Sequence, residues 1–161
     1  MTTDLPGPIA VSGPVAVSGP IAVSGPIAVS GPVAVSGSVV GVGVDAVDVE
    51  RYRRVLQRTP GIAARTFTEA ELAYARAQAD PTQRLAARFA AKEATMKALG
   101  VGLGACKLRE IEVGRRYGGQ PYLVLYGAAA QLATEQSIGR WLVTMTHTDV
   151  VAIAFVTATA S

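Results

Sequence analysis

The stretch "RFAAKEATMKALG" at residues 88–100 has the periodicity of a helix with an unusual charge distribution. At about 100° per residue, one apolar stripe contains Leu85, Phe89, Met96 and Leu99. The opposite side carries only alanine and no charge (Ala87, Ala90, Ala91, Ala94 and Ala98). Because small residues let other elements approach closely, we predict that this helix is packed on two sides and lies at the centre of the fold.

The charges of this helix lie at the edges of the apolar stripe. Lys92 points almost into the stripe, Arg88 lies at one edge, and Glu93 and Lys97 lie at the other. A Glu–Lys pair at i,i+4 contributes only a few tenths of a kcal/mol when exposed, and it does not account for Lys92. Charges near a core are costly unless they are paired. Three cations beside one carboxylate therefore indicate a polyphosphate ligand, with the carboxylate holding a divalent ion.

A second acid is needed for such a metal site, and Asp45 is the best candidate. It ends "SVVGVGVD" at residues 38–45, which reads as a strand, and an acid at the end of a buried strand can face a neighbouring helix. Asp48 and Glu50 are predicted to be a helix cap and a surface residue. The loop "GVGLG" at residues 100–104 follows the helix and lets a ligand approach the backbone.

The other elements are set by caps, turns and periodicity. We predict a helix over 48–58, a short helix opened by a capping box of Thr68 and Glu71, and the long helix from Asp80-Pro81 to Leu99, ended by Gly100. The remaining elements are a hairpin of 108–113 with 121–127, a helix over 128–139 closed by Gly139, and strands over 140–148 and 150–157. Without βαβ regularity, this order predicts an α+β fold with an antiparallel sheet packed on the long central helix.

Residues 7–36 differ from the rest, because they are five uncharged copies of GP[IV]AVS. A proline in every copy excludes a helix, so residues 1–37 are predicted to be a mostly unstructured leader with no catalytic role. A partner-binding or oligomer-edge role is the alternative. The folded domain is predicted over 38–161. No apolar run is long enough to span a bilayer, no signal peptide is recognisable, and one cysteine is present, so we expect a cytoplasmic protein.

The domain is basic, and its arginines are clustered. Residues 38–161 contain all 15 lysines and arginines and 11 of the 12 acids. Five arginines lie between positions 51 and 65 with no acid among them: Arg51, Arg53, Arg54, Arg58 and Arg65. We call these five residues the arginine cluster. It predicts an acidic partner or a phosphate ligand. A nucleic-acid-binding domain fits less well, because the cluster lacks interleaved aromatic residues.

Three stretches together resemble the holo-acyl-carrier-protein synthases, the small phosphopantetheinyl transferases. They are "GVGVDAVDVER" (41–51), "RLAARFAAKEATMKALGVG" (84–102) and "WLVTMTHT…VAIAFV" (141–156). The resemblance implies transfer of 4′-phosphopantetheine from coenzyme A (CoA) to a serine of an apo acyl carrier protein, with release of adenosine 3′,5′-bisphosphate. It also implies an α+β fold and a homotrimer with shared active sites. Whether the carrier serves fatty-acid or polyketide synthesis stays open.

The resemblance also implies roles for individual residues. Asp45 and Glu93 take the positions of the Mg²⁺ ligands, and Glu93 and Lys97 are the expected catalytic residues. The expected contacts to CoA and its phosphates are Arg88, Lys92, Lys97, Gly100, Gly102 and His147. Arg51 is expected to bind the acidic carrier protein, together with the adjacent Arg54 and Arg58. The base that removes the serine proton is either Glu93 or a metal-bound water.

Two departures from the family pattern and one rival interpretation remain. Val44 and Val101 stand where the family often has threonine, which removes two hydroxyls but keeps the charged residues. His147 is either a ligand contact or a structural group at a strand end.

The rival function is a non-catalytic CoA- or nucleotide-binding module that recruits carrier proteins. A pair of metal-binding acids argues against it, because a binder does not need a metal site.

Overall fold

A computed structural model describes residues 37–161 of the chain, and the predicted repeat leader lies outside the described residues. The strands are β1 (Val39–Asp48), β2 (Ile111–Arg115), β3 (Pro121–Leu125), β4 (Ile138–His147) and β5 (Val151–Ala160). They form a three-stranded sheet in the order β1-β5-β4 and a separate β2-β3 hairpin, and all pairings are antiparallel. The predicted α+β class with antiparallel strands is confirmed.

The described part of the chain also contains five α-helices: α1 (Val49–Arg58), α2 (Ile62–Thr66), α3 (Glu69–Arg76), α4 (Pro81–Ala98) and α5 (Gly127–Glu135). The predicted caps are present. Asp48 accepts a hydrogen bond from the Arg51 amide at the start of α1, and Thr68 forms the capping box of α3. Asp80 caps α4 ahead of Pro81. Gly100 follows α4 with a φ of 68°, the left-handed conformation that glycine adopts without strain.

Helix α4 is the centre of the domain, as predicted. Twelve of its 18 residues are buried, so both sides of the helix are covered. Its alanine side packs on Ala154 and Val156 of β5. Met96, on the other side, packs on Ile111 of β2 and Ala129 of α5. Of the charged residues of α4, Arg88 and Lys92 are therefore buried, whereas Lys97 is exposed.

Two glycines bring β1 against α4. A Cβ atom at Gly43 would lie 1.8 Å from the Ala94 carbonyl oxygen, and one at Gly41 would lie 2.0 Å from that of Ala98. No side chain fits at either position. Alternate residues of a strand share a face, so Asp45 lies on the same face of β1 as the two glycines. The close approach of the backbones thus carries Asp45 to the flank of α4.

The structure differs from the prediction at several boundaries. β1 does not end at Asp45, because its pairing with β5 continues to Asp48 opposite Val151. Leu108–Glu110 form a 3₁₀ turn before β2 rather than the start of a strand. Helix α2 was not predicted.

The end of α5 also differs. The helix stops at Glu135, and Ser137, with a φ of 56°, takes the left-handed position expected of Gly139. Gly139 lies in β4 instead, where a Cβ atom would lie 2.6 Å from the Cα of Ser161. Among the helices of residues 37–161, none has the length and apolar character needed to cross a membrane.

Candidate active site

Asp45 and Glu93 line the same groove, which has a volume of about 540 Å³. β1 supplies Asp45 and α4 supplies Glu93. Other walls of this carboxylate groove come from Phe89 of α4, Arg51 of α1, and Leu103 of the loop after α4. The two acids predicted from separate motifs are therefore brought to one surface.

Lys97 joins β1 to α4 at the edge of this groove. Its Nζ donates hydrogen bonds of 2.8 Å to Asp45 Oδ1 and 2.8 Å to the carbonyl oxygen of Val44. The lysine thus pairs with Asp45 rather than with Glu93, its neighbour one turn earlier in α4. About half of its side chain (52%) is exposed, so the ammonium remains accessible to a ligand.

The charges in the carboxylate groove are unbalanced. Burial raises the pKa of Glu93, and the negative charge of Asp45 raises it further, while Lys97 lowers it. Two carboxylates facing one ammonium favour a further cation. Carboxylate oxygens are hard ligands suited to Mg²⁺, which is commonly held by one or two carboxylates together with substrate phosphates. Asp45 and Glu93, two carboxylates that line one groove, fit this two-carboxylate type of site. In the described domain, no group of three or more His, Cys, Asp or Glu side chains could hold a metal ion.

Gly100 and Gly102 border open space. A Cβ atom at either position would have no neighbour within 4 Å. The loop carries Leu103 into the wall of the carboxylate groove. Its backbone is thus accessible next to the two acids.

Arg88 lies in a second pocket, of about 110 Å³, together with Arg84, Arg115, Tyr74 and His147. We call this the arginine pocket. Arg88 is only 3% exposed, and its guanidinium stacks over the Tyr74 ring with a Cζ-to-centroid distance of 4.1 Å. Within residues 37–161, Arg88 Nε is the one buried side-chain nitrogen or oxygen without a hydrogen-bond partner. A buried, unpaired cationic donor of this kind favours an anionic ligand.

His147 is held in its neutral form in the arginine pocket. Its Nε2 lies 2.9 Å from Arg84 Nη1, and because arginine only donates, Nε2 accepts this hydrogen bond. Burial and the charge of Arg84 lower the pKa of His147. The structure therefore places Arg88 and His147 in one pocket, apart from the carboxylate groove.

The prediction that Lys92 contacts phosphate does not agree with its position. Lys92 is fully buried, at 0% exposure, and pairs with Glu71 at 2.8 Å. Its other two donors bond to the carbonyl oxygens of Leu108 and Ile111. All three N–H donors are therefore used within the protein. The three cations expected beside Glu93 therefore do not converge on it. Lys92 pairs with Glu71 in the core, Arg88 lies in the arginine pocket, and Lys97 pairs with Asp45.

The arginine cluster is partly compensated by acids from outside its sequence range. Arg53 pairs with Asp80 at 2.8 Å and with Glu50 at 3.1 Å, and Arg54 lies 3.7 Å from Glu50. Arg51 and Arg58 are exposed and form no ion pair with any residue of the described domain. Arg51 also lines the carboxylate groove. The free positive charge of α1 is thus concentrated at Arg51 and Arg58.

Four residues of these sites were missed by the sequence reasoning: Glu71, Tyr74, Arg84 and Arg115. Glu71 was identified only as a cap, and nothing local shows that its carboxylate is buried. Arg115 belongs to a turn-like segment, "GRRYGGQ", whose position against α4 depends on the β2-β3 hairpin. Arg84 is the first residue of the stretch at residues 84–102 and carries no further local signal.

Known proteins share the sequence and the fold of this chain. Residues 41–154 match the family model of the 4′-phosphopantetheinyl transferase superfamily. The holo-[acyl-carrier-protein] synthase of Frankia alni is 49% identical over 120 residues, which cover 74% of this chain and 97% of the relative.

Two solved structures are also similar. The holo-[acyl-carrier-protein] synthase of Neisseria meningitidis has a TM-score of 0.69 and 34% identity, covering 75% of this chain and 98% of its own. The synthase of Bacillus anthracis in complex with CoA (3′,5′-ADP) has a TM-score of 0.64 and 28% identity, covering 76% and 98%. The chain therefore belongs to the 4′-phosphopantetheinyl transferase superfamily and is an enzyme of that class.

Proposed function

We propose that the chain transfers 4′-phosphopantetheine from CoA to a serine of an apo acyl carrier protein in a Mg²⁺-dependent reaction. The observation that carries this proposal is that Asp45 and Glu93 line one groove with Lys97 at its edge. The relatives are holo-[acyl-carrier-protein] synthases, and one of them is in complex with CoA.

In the proposed reaction, the serine oxygen forms a bond to the phosphorus next to the pantetheine arm. The bond from that phosphorus to the bridging oxygen breaks, and this oxygen leaves with adenosine 3′,5′-bisphosphate. Glu93, which lines the groove beside Asp45, receives the serine proton. Lys97 stabilises the negative charge on the leaving phosphate. Mg²⁺ held by Asp45 and Glu93 would neutralise charge on the pyrophosphate.

The remaining phosphate of CoA is assigned to the arginine pocket. Arg88 brings an unpaired buried donor, and Arg84, Arg115 and His147 surround the same space. Gly100 and Gly102 leave room for the ligand beside the carboxylate groove. Direct phosphate binding by Lys92 is not part of this proposal.

The carrier protein is assigned to α1. Arg51 stands between the carboxylate groove and solvent, and Arg58 is a second exposed cation on the same helix. Arg54 contributes less, because Glu50 partly neutralises it. An acidic carrier docked here would bring its serine to the groove.

A homotrimer with shared sites is supported by the free face of the three-stranded sheet. Opposite α4, this face exposes Val42 (53%), Val44 (53%), Ile153 (37%) and Phe155 (43%). The register places Val44 next to Phe155 across the β1-β5 pair, so the patch is continuous. Contiguous apolar surface of this kind marks an interaction site, and we assign it to further copies of this chain.

Mass spectrometry of an apo carrier protein incubated with CoA and Mg²⁺ tests the function. The wild type should add one phosphopantetheine group, and EDTA should abolish the addition. Asp45→Ala and Glu93→Ala should each lower the rate by about 10²–10⁴-fold, and Lys97→Met should lower kcat with both substrates saturating. Glu135→Gln, an exposed acid of α5, is the matched control. Wild-type activity in either acid variant would remove the metal assignment, and binding of CoA without any transfer would favour a non-catalytic binding module.

A further inference from the structure

Glu71 and Lys92 form a buried ion pair outside the proposed reaction. Their side chains are 1% and 0% exposed, and neither lines the carboxylate groove. Burial lowers the pKa of Lys92, while the charge of Glu71 raises it. Buried ion pairs contribute little net stability compared with apolar residues of similar volume, so their role needs another explanation.

The pair fastens three elements to one another. Glu71, on α3, accepts hydrogen bonds from the amides of Thr68 at 2.9 Å and Val113 at 3.1 Å. Lys92, on α4, donates to the carbonyl oxygens of Leu108 and Ile111, just before and at the start of β2. The pair thus fixes α3, α4 and β2 relative to each other through backbone groups of β2 and its preceding turn.

Each of these three elements carries one wall of the arginine pocket. Tyr74 lies three residues after Glu71 on α3, and Arg88 lies four residues before Lys92 on α4, so each shares a helix face with a member of the pair. Arg115 lies two residues after Val113 on β2 and shares its face. Arg88 and Arg115 both lie over the Tyr74 ring, with Cζ atoms 4.1 Å and 5.3 Å from its centroid, and Arg115 also donates to the Tyr74 hydroxyl.

We infer that Glu71 and Lys92 are positioning residues for the arginine pocket. The pair is buried beneath Tyr74, Arg88 and Arg115, which lie on the same three elements. By fixing α3, α4 and β2 relative to one another, the pair sets the relative positions of these three pocket residues. Two guanidinium groups that repel each other are held over one ring because the elements that carry them are fixed underneath. The inference rests on the proposed function in one respect, which is that the pocket takes a phosphate of CoA.

The test is a Glu71→Met/Lys92→Met double variant of the full chain, which removes both charges together and keeps the volume. KM for CoA should rise by about tenfold or more, since small displacements of binding groups have large effects. KM for the carrier protein and kcat at saturating CoA should change by less than about twofold, because neither residue lines the carboxylate groove. The dissociation constant of CoA, measured by calorimetry, should rise with KM.

Two controls separate positioning from general loosening. Met96→Ala creates a cavity on the same helix, away from the arginine pocket, and should lower the melting temperature without changing KM for CoA. Arg88→Ala should raise KM for CoA, which shows that the pocket binds it. Glu71→Gln/Lys92→Gln also removes both charges together and keeps polar atoms at both positions, so it should give the same selective change in smaller degree and serves if the double methionine variant does not fold.

The outcomes are distinguishable. An unchanged KM for CoA in a folded double variant, or an equal rise in Met96→Ala, would overturn the positioning role. An unchanged KM in Arg88→Ala would also overturn it, because the pocket would then not bind CoA. A wild type that transfers nothing to the carrier would instead refute the proposed function.

Discussion

Lys92 and Glu93 are adjacent on α4, yet their surroundings give them different tasks. Lys92 uses all three donors within the protein and is closed off from solvent. Glu93 faces a groove, with a pKa raised by burial and by Asp45. At the scale of single residues, burial and partners decide whether a charged group stabilises the fold or faces a ligand.

His147 should make stability depend on pH. Its pKa is lowered in the folded state, so the folded protein favours the neutral ring. This contribution is present above the unfolded pKa of about 6.5 and is lost as the pH falls through the folded pKa. Between pH 7.5 and 5.5, the urea midpoint should therefore fall more in the wild type than in His147→Asn.

His147 is the only histidine, so this comparison isolates its titration. Glu93, whose raised pKa acts in the opposite direction, is present in both proteins and does not affect the difference. Equal slopes in the two proteins would contradict the assigned neutral state of the ring.

At the scale of elements, the contact of β1 with α4 decides where Asp45 lies. Gly43→Ala should lower the free energy of unfolding by about 1–3 kcal/mol or more, because its Cβ atom would lie 1.8 Å from the Ala94 carbonyl oxygen. Gly118→Ala is the matched control, since a Cβ atom there meets nothing within 4 Å. Chemical denaturation measures both, and a neutral Gly43→Ala would show that β1 and α4 are less closely packed.

Helix α1 should recognise the carrier rather than CoA. Arg51→Glu is expected to raise KM for the carrier and leave KM for CoA nearly unchanged, because an exposed cation steers an acidic partner. Added salt should weaken the wild type in the same direction, since exposed charges are screened beyond about 8 Å at physiological ionic strength. Arg76→Glu, an exposed arginine of α3, is the control. A change confined to KM for CoA would assign Arg51 to the nucleotide.

At the scale of the whole molecule, the exposed sheet face should hold the proposed trimer together. Phe155→Glu places a charge in the apolar patch opposite α4 and should convert a trimer to monomers, measured by light scattering after gel filtration. Transfer activity should fall with the loss of the trimer if sites are shared between protomers. Val150→Glu, an exposed apolar residue of the β4-β5 turn, should have no such effect. A monomeric wild type would contradict the assignment of the patch.

The repeat segment should be dispensable for chemistry. Every proposed site residue lies between Asp45 and His147, and the GP[IV]AVS copies carry no charged group. A chain that begins at Ser38 should therefore modify a carrier with a kcat within about twofold of that of the full chain. A large loss of kcat would assign the repeats to the assembled site.

The sequence by itself determined most of the helices and strands and both candidate metal-binding acids. Caps such as Thr68 and Asp80, the left-handed Gly100 and the alanine side of α4 depend on residues within a few positions of one another. Such local rules operate before the chain is packed. Asp45 and Glu93 were also identified as a pair from the sequence: Glu93 by its place on the long helix, and Asp45 as the strand-end acid best placed to complete a metal site. The resemblance to a family implies the same two positions.

Only the tertiary structure decided which charges face a ligand. Lys92 and Glu71 are 21 residues apart, and Arg84 and His147 are 63 apart. Their pairing depends on how α3, α4, β2 and β4 pack, and it cannot be predicted from a local sequence pattern. Sequence periodicity places Lys92 beside an apolar stripe. It does not show whether the ammonium group pairs with a carboxylate of the protein or with a ligand. The reason is physical: the cost of burying a charge is set by its partners in space, and these partners come together only when the chain is folded.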